Sequence, residues 1–329
     1  MNTRSGASRD DDLARVAHMH FVERLDQKEI ASRIHTSRST VSRMIRDAMD
    51  RGIVDIRIRF PMQRERDLEE SLRTSFNLRL TRVAPGNAST DQKAADSVGR
   101  LGADLVDTTL PPGGTLAVCW GRTISRVVDH LSPRDPGDQL RVVQMIGSLH
   151  DSDDETNGYE LARVASKKLG AALELLSAPL IVDDAHVAKT LLQQTAISRV
   201  IDRARHSDLA LVGLGSVAPA TSALVRAGFV SAHEALDLAR AGAVGDISGM
   251  LIDSDGQPVA TGVSSRVIGV SLDDLTAMNA AVAVAYGPDK VAIIRAAIAG
   301  GYLDGLVTDQ ATATALLQTT SPPTEGVLS

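Results

Sequence analysis

Cysteine is almost absent: Cys119 stands alone among 329 residues. No intramolecular disulfide framework can form, and a single thiol fits a reducing compartment. Long apolar runs are missing as well. No stretch approaches the roughly 20 continuous apolar residues of a membrane-spanning helix. The opening segment MNTRSGASRDDD has no apolar core and does not read as a signal peptide. These absences predict a cytoplasmic chain with no membrane partner. A Walker lysine motif is missing, and Gly213-x-Gly215 lacks the third glycine and the acidic partner of a dinucleotide fingerprint, so no cofactor is expected. Asp253-Ser-Asp-Gly256 reads as a hairpin turn, too short for a calcium loop and without its distal glutamate. The acidic run His150-Asp-Ser-Asp-Asp-Glu155 reads as a solvated loop, and His18 and His20, two apart on one helix, do not face one another. No metal site is expected.

What is present is ordinary in amount and unusual in arrangement. Hydrophobic residues make up 43% and charged residues 23%, as in folded proteins. The length suits two domains at about 100–200 residues each. Net charge is −6, which at first argues against nucleic acid. The charge is split, however. Residues 1–66 carry 14 Lys+Arg against 10 Asp+Glu, whereas the remainder carries 21 against 31. A small basic head on an acidic body fits a DNA-reading module joined to a sensor.

The head contains LDQKEIASRIHTSRSTVSRMIRDAMDRG, from Leu25 to Gly52. Leu25, Ile30, Ala31 and Ile34 recur at helical spacing. Ser37 is placed to cap a second helix over 37–50, whose apolar side is Val41, Met44, Ile45 and Ala48. Left outside are hydroxyls and guanidinium groups. This is the layout of a helix-turn-helix, whose second helix enters the major groove of operator DNA. Candidate DNA contacts are Gln27, Ser37, Arg38, Ser39, Thr40, Ser42, Arg43 and Arg46. A first helix is predicted over Asp12–Arg24, after a structureless segment at residues 1–10. Ile53–Arg59 alternates as a strand and reads as a wing, with Arg57 and Arg59 toward phosphates.

Pro61 breaks that strand, and Leu68, Leu72 and Phe76 mark a helix over 62–76. Either this helix packs on its own domain or it connects to a second copy. The predicted division is therefore a helix-turn-helix domain over 1–60, a connector over 61–77 and an effector domain over 78–329. Short β-branched runs follow at Leu78–Val83, Thr115–Cys119, Leu140–Ile146, Ala172–Leu176, Leu209–Val212, Val267–Val270, Ala281–Ala285 and Gly305–Val307. Helical patterns separate several of them, at 91–107, 122–131, 157–168, 185–205, 289–299 and 309–317. Such alternation predicts an α/β domain with a mostly parallel sheet covered on both faces.

In open α/β sheets ligands bind beyond the carboxyl ends of the strands. Three such ends here are rich in glycine and small polar residues: Cys119-Trp-Gly-Arg-Thr123, Val212-Gly-Leu-Gly-Ser216 and Tyr286-Gly-Pro-Asp-Lys290. Glycine allows close approach, and helix N-termini with Thr123, Ser216 and Lys290 supply donors for an anion, most simply a phosphate. Gly245-Asp-Ile-Ser-Gly249 adds Asp246, either an acceptor for sugar hydroxyls or a turn aspartate.

As a whole the chain resembles the SorC family of bacterial sugar-responsive transcriptional regulators, from about Leu13 to Leu317. In the head the resemblance rests on Leu25-Asp-Gln-Lys-Glu-Ile-Ala, Ser37-Arg-Ser-Thr-Val-Ser-Arg43 and Gly52-Ile-Val. In the body it rests on Trp120-Gly-Arg-Thr123, Gly213-Leu-Gly-Ser216, Gly242-Ala-Val-Gly-Asp246, Arg266-Val-Ile-Gly-Val-Ser-Leu272, Gly287-Pro-Asp-Lys290 and Leu306-Val-Thr-Asp309. It implies a winged head on an effector domain of the glucosamine-6-phosphate deaminase/isomerase-like fold. It further implies a phosphorylated sugar or polyol effector and a homo-oligomer, dimer or tetramer. The residues implied on the phosphate side are Gly121, Arg122, Thr123, Gly213, Gly215, Ser216, Gly287 and Lys290, with Asp246 toward the hydroxyls. The chain departs from the family pattern at Gly147-Ser148 and Ser177-Ala-Pro179, both expected near the pocket. The predicted function is an effector-controlled transcription factor without catalysis. The alternative is a sugar-phosphate isomerase or deaminase bearing a DNA-binding head.

Overall fold

The computed structural model describes residues 4–54, 62–86, 91–149 and 156–318. The chain divides into two compact units, Met1–Pro61 and Met62–Ser329.

The first unit holds three helices: α1 (Arg4–Phe21), α2 (Gln27–Arg33) and α3 (Arg38–Asp50). Their facing stripes bury Leu13, Val16, Ala17 and Met19 against Ile30, Ala31, Val41, Ile45 and Ala48. Full burial of one such aliphatic side chain contributes about 1.5–3 kcal/mol. α2 starts at a capping box. Asp26 accepts from the Lys28 and Glu29 amides at 2.8 Å, and Glu29 accepts from the Asp26 amide at 2.8 Å. α1 corrects the prediction at both ends: it begins at Arg4, not Asp12, and stops at Phe21. The early turns are not structureless because they are tied to α3, with Arg9 on Asp47 at 3.2 Å and Arg51 on Asp10. The wing strand lies mostly outside the described residues. Ile53 and Val54 are described, and they pack on Leu13, Ala17 and Ala48.

The second unit follows in the order α4 (Arg66–Phe76), β1 (Leu80–Ala84), α5 (Asp91–Thr109), β2 (Thr115–Val118), α6 (Arg122–His130), β3 (Arg141–Gln144), α7 (Gly158–Leu169) and β4 (Ala172–Glu174). Then come α8 (Ala185–Leu192), α9 (Thr195–Arg205), β5 (Leu209–Val212), β6 (Leu214–Ser216), α10 (Ala223–Arg226), α11 (Ala232–Arg240), β7 (Gly245–Ile247) and β8 (Met250–Ile252). The chain closes with α12 (Leu272–Ala277), β9 (Ala281–Val284), α13 (Val291–Ala299), β10 (Gly305–Asp309) and α14 (Gln310–Gln318). Seven strands form one sheet in the order β1-β10-β9-β5-β2-β3-β4, and every pair is parallel. The fold class is the predicted α/β one. Along β5, Leu209 and Leu211 enter one apolar layer while Ala210 and Val212 enter the other, so this strand is buried on both faces. α4 packs in this unit, with Leu72 fully buried beside Leu78 and Val83.

Several features differ from the sequence reading, among them three helices that it did not place, α10, α11 and α12. Val267–Val270 is not a strand of the sheet: Val267 and Gly269 make isolated bridges to Ile181 and Ile146. The single helix expected at 185–205 is two, α8 and α9. A second, antiparallel sheet, β6-β7-β8, was not foreseen. Its strands have three residues each, too few to show alternation. The acidic run His150–Glu155 lies outside the described residues.

Candidate functional site

In the head, α3 and its cap carry seven of the eight residues expected to contact DNA. Ser37 caps it: its Oγ accepts from the Thr40 amide at 3.1 Å and pairs with the Ser39 and Thr40 hydroxyls at 2.8 Å. The turn before it passes through His35, whose φ of +52° is left-handed. With Val41, Ile45 and Ala48 buried, Ser39, Arg43 and Arg46 are carried on the opposite, exposed side. Arg38 is also exposed, whereas Thr40, Ser42 and Gln27 are half-buried. Arg38, Ser39, Arg43 and Arg46 thus form a hydroxyl-and-guanidinium surface on one short helix. Arg43→Ala is expected to weaken duplex-DNA affinity roughly tenfold and to reduce the salt slope by about one. A salt titration by fluorescence anisotropy measures both, and an unchanged slope would take Arg43 off the DNA.

In the body, a cavity of about 670 Å³ opens at the carboxyl ends of β2, β5 and β9. β5 and β9 are neighbours and β2 flanks β5, so three non-consecutive segments converge there. From β2 the chain proceeds outward to β3, and from β5 it proceeds the other way to β9. This divergence is a topological switch point, where ligands of open α/β sheets bind. The lining includes Gly121, Arg122, Thr123, Gly213, Gly215, Asp246, Gly287 and Lys290. Ser216 is not among the lining residues: it is buried, and its Oγ accepts from the Ala218 amide at 3.1 Å.

Local conformation explains the glycines. Gly121 has φ +121° and Gly287 has φ +99°, so both turn the chain from strand into helix where a side chain would be strained. Gly121 at the N-cap of α6 makes no side-chain cap, so among the described residues the helix's first-turn amides have no capping side chain. Gly215 serves another purpose. It pairs with Asp246 across β6 and β7, and a Cβ there would stand 1.8 Å from Asp246 Oδ1. The missing side chain makes room for the carboxylate.

Asp246 is 3% exposed. Its Oδ2 accepts from the Gly249 amide at 2.8 Å, while Oδ1 has no hydrogen-bond partner among the described residues. Burial pushes its carboxyl above the usual carboxylate range, opposed by the Gly249 amide and the Lys290 charge. Burial likewise pushes the Lys290 ammonium down, with Arg122 and Arg226 adding to the shift and Asp289 and Asp246 opposing it. Lys290 Nζ lies 3.7 Å from Asp289. The lining thus sets four cations (Arg122, Arg126, Arg226, Lys290) against three carboxylates (Asp91, Asp246, Asp289). That lining offers both donors for an anion and acceptors for hydroxyl groups.

A family model described as "Putative sugar-binding domain" matches residues 61–318. The transcriptional regulator LsrR of Enterobacter sp. (strain 638) is 32% identical over 307 residues, 93% of this chain and 92% of its own. LsrR of Escherichia coli (strain K12) is 31% identical over 318 residues, 95% and 96% of the two chains. The full-length sorbitol operon regulator SorC from Klebsiella pneumoniae superposes with a TM-score of 0.71 at 27% identity, covering 94% of this chain and 99% of that one. The chain belongs to the SorC family. It is a transcriptional regulator with a sugar-binding domain, as its sequence motifs implied.

Within this SorC-family body, several lining residues escaped the sequence reading. Arg226, Asp91, Arg126 and Thr156 come from segments with no glycine-rich strand end. Ser248 and Tyr286 lie within residues 245–249 and 286–290, segments whose other residues drew the sequence reading. The Tyr286 phenol is pushed up to about 12, first by burial and then by the Asp91 charge. The departures at Gly147-Ser148 and Ser177-Ala-Pro179 do not border this cavity. Ser148 and residues 177–179 line a second, smaller depression of about 430 Å³ instead. Among the described residues no helix is long and apolar enough to cross a membrane.

Proposed function

We propose that this SorC-family chain is a cytoplasmic regulator of a carbohydrate or polyol operon, controlled by a phosphorylated sugar in the cavity at the ends of β2, β5 and β9. The observation that carries the reading is the mixed charge of that lining, four cations together with three carboxylates. The uncapped N-terminus of α6, Arg122 and Lys290 favour a phosphate, while Asp246 Oδ1 awaits a donor such as a sugar hydroxyl. The head binds operator DNA through α3, and two or more copies act together. A ligand switches such an assembly only through different affinity for its two arrangements.

The enzyme reading needs a positioned acid/base pair. No histidine is among the described lining residues, and one oxygen of Asp246 is already engaged by the Gly249 amide. Thermal unfolding with ribose 5-phosphate, glucose 6-phosphate, fructose 6-phosphate and sorbitol 6-phosphate tests both readings. The expected result is stabilisation by at least one sugar phosphate and by none of the free sugars, with no product formed. A ligand at about 100 times its Kd stabilises by roughly 2.7 kcal/mol. Turnover of any of them would overturn the sensor reading.

A further inference from the structure

The turn between β7 and β8 is built against local preference. Ser248 and Gly249 occupy its two central positions with φ of +55° and +87°, the signature of a type I′ turn. Glycine is at ease there, but serine is not, because its Cβ crowds the following carbonyl in the left-handed region. Such strain persists only where the surroundings over-determine it, typically in ligand clamps. Two contacts over-determine it here. The Gly249 amide is held by Asp246 Oδ2 at 2.8 Å, and Ser248 Oγ lies 3.1 Å from Cys119 Sγ. Ser248 is 2% exposed, yet it lines the cavity as Asp246 does; Cys119 is fully buried and does not line it.

We propose that Ser248 is a second reader of the sugar's hydroxyls, in addition to the Asp246 already assigned to them, with Cys119 as the residue that positions the Ser248 hydroxyl. This rests on the sugar-phosphate reading above and extends it to the hydroxyl-bearing part of the ligand. The chemistry is complementary. Asp246 Oδ1 is an acceptor in need of a donor. Ser248 has one proton and two lone pairs, of which the thiol occupies one valence. When the Cys119 thiol donates to Oγ, the serine keeps its proton for a ligand oxygen. A hydroxyl facing Asp246 donates, and its neighbour accepts from Ser248. The class of ligand selected is a phosphorylated sugar or polyol with adjacent hydroxyls. The Cys119 contact on Ser248 and the Asp246 bond to the Gly249 amide hold this turn before any ligand arrives.

The test compares affinity for the four sugar phosphates of the panel with affinity for inorganic phosphate, by isothermal titration on the full chain. In the parent protein at least one sugar phosphate binds more than tenfold better than inorganic phosphate. Ser248→Ala is expected to lower that ratio about tenfold while leaving inorganic phosphate affinity unchanged. Ser248→Gly relieves the left-handed strain and gives the same loss, so a folding defect cannot mask the result. Cys119→Ala lowers the ratio by a smaller factor, and Cys119→Ser restores it. An unchanged ratio in Ser248→Ala and Ser248→Gly overturns the proposal, as does an equal loss for phosphate and sugar phosphate. If neither inorganic phosphate nor any sugar phosphate binds the parent, the underlying sugar-phosphate reading fails with it.

Discussion

Lys290→Met is expected to lower sugar-phosphate affinity by tenfold to a hundredfold or more while leaving the unliganded protein at least as stable as the parent. The first half follows from geometry. Lys290 follows the Gly287 turn at the end of β9, lines the cavity and is largely buried. A hydrogen bond between an ammonium and a phosphate contributes about 1.5–3 kcal/mol, and each 1.4 kcal/mol is about tenfold in affinity. The second half follows from the sign of its shift. Burial, with Arg122 and Arg226 nearby, holds the ammonium below its ordinary value of 10.5. A base depressed in the folded state costs stability when charged. That cost is full below the folded value and disappears as pH rises toward the ordinary one. Methionine keeps the aliphatic stem and removes the charge, so the parent should gain stability with rising alkaline pH relative to the variant. Calorimetric titration with the sugar-phosphate panel and unfolding from pH 7 to 10 measure the two halves. Unchanged affinity would remove Lys290 from the site.

The head was legible because its signals are local. The α3 span needs only a serine cap and a 3.6-residue apolar period, both contained within 37–50, and the helix runs Arg38–Asp50 with Ser37 at its cap. α2 is equally local, since its capping box lies within four residues. The start of α1 was not legible for the opposite reason. Its first turns are held by Arg9 on Asp47 and Asp10 on Arg51, pairs 38 and 41 residues apart in sequence.

The same distinction runs through the body. The central strands β5 and β9 appear as continuous apolar runs because parallel strands are buried on both faces. The small antiparallel sheet was invisible, and with it the reason for Gly215. The glycine itself could be read, but its function is to clear space for a carboxylate 31 positions later, across a pairing of β6 with β7. Arg226 and Asp91 likewise reach the cavity from elements whose own sequence says nothing of a ligand. Strand-end glycines therefore mark where a pocket opens, and the side chains that give it selectivity come from elsewhere.

Asp246→Asn should separate stability from binding in the opposite residue of the cavity. Burial raises the Asp246 carboxyl above its ordinary value of 3.8, against the pull of the Gly249 amide and Lys290. An acid raised in the folded state leaves the protein most stable below the ordinary value, and stability is lost as pH rises through the folded one. At neutral pH the parent carries the cost of burying this carboxyl with one oxygen unpartnered among the described residues. Asparagine keeps an acceptor for the Gly249 amide and removes the charge. The unliganded variant is therefore more stable at pH 7, and its advantage shrinks as pH falls toward 4. Binding moves the other way. An amide nitrogen facing a sugar hydroxyl replaces a charged acceptor, a loss of about 1.5–3 kcal/mol, or roughly tenfold to a hundredfold. The effect should not be additive with Lys290→Met, because the Asp246 charge itself supports the Lys290 ammonium. Urea unfolding at pH 4 and 7 and a double-mutant cycle on sugar-phosphate affinity measure these outcomes. A variant that is less stable at pH 7 with unaltered affinity would make Asp246 a turn residue and nothing more.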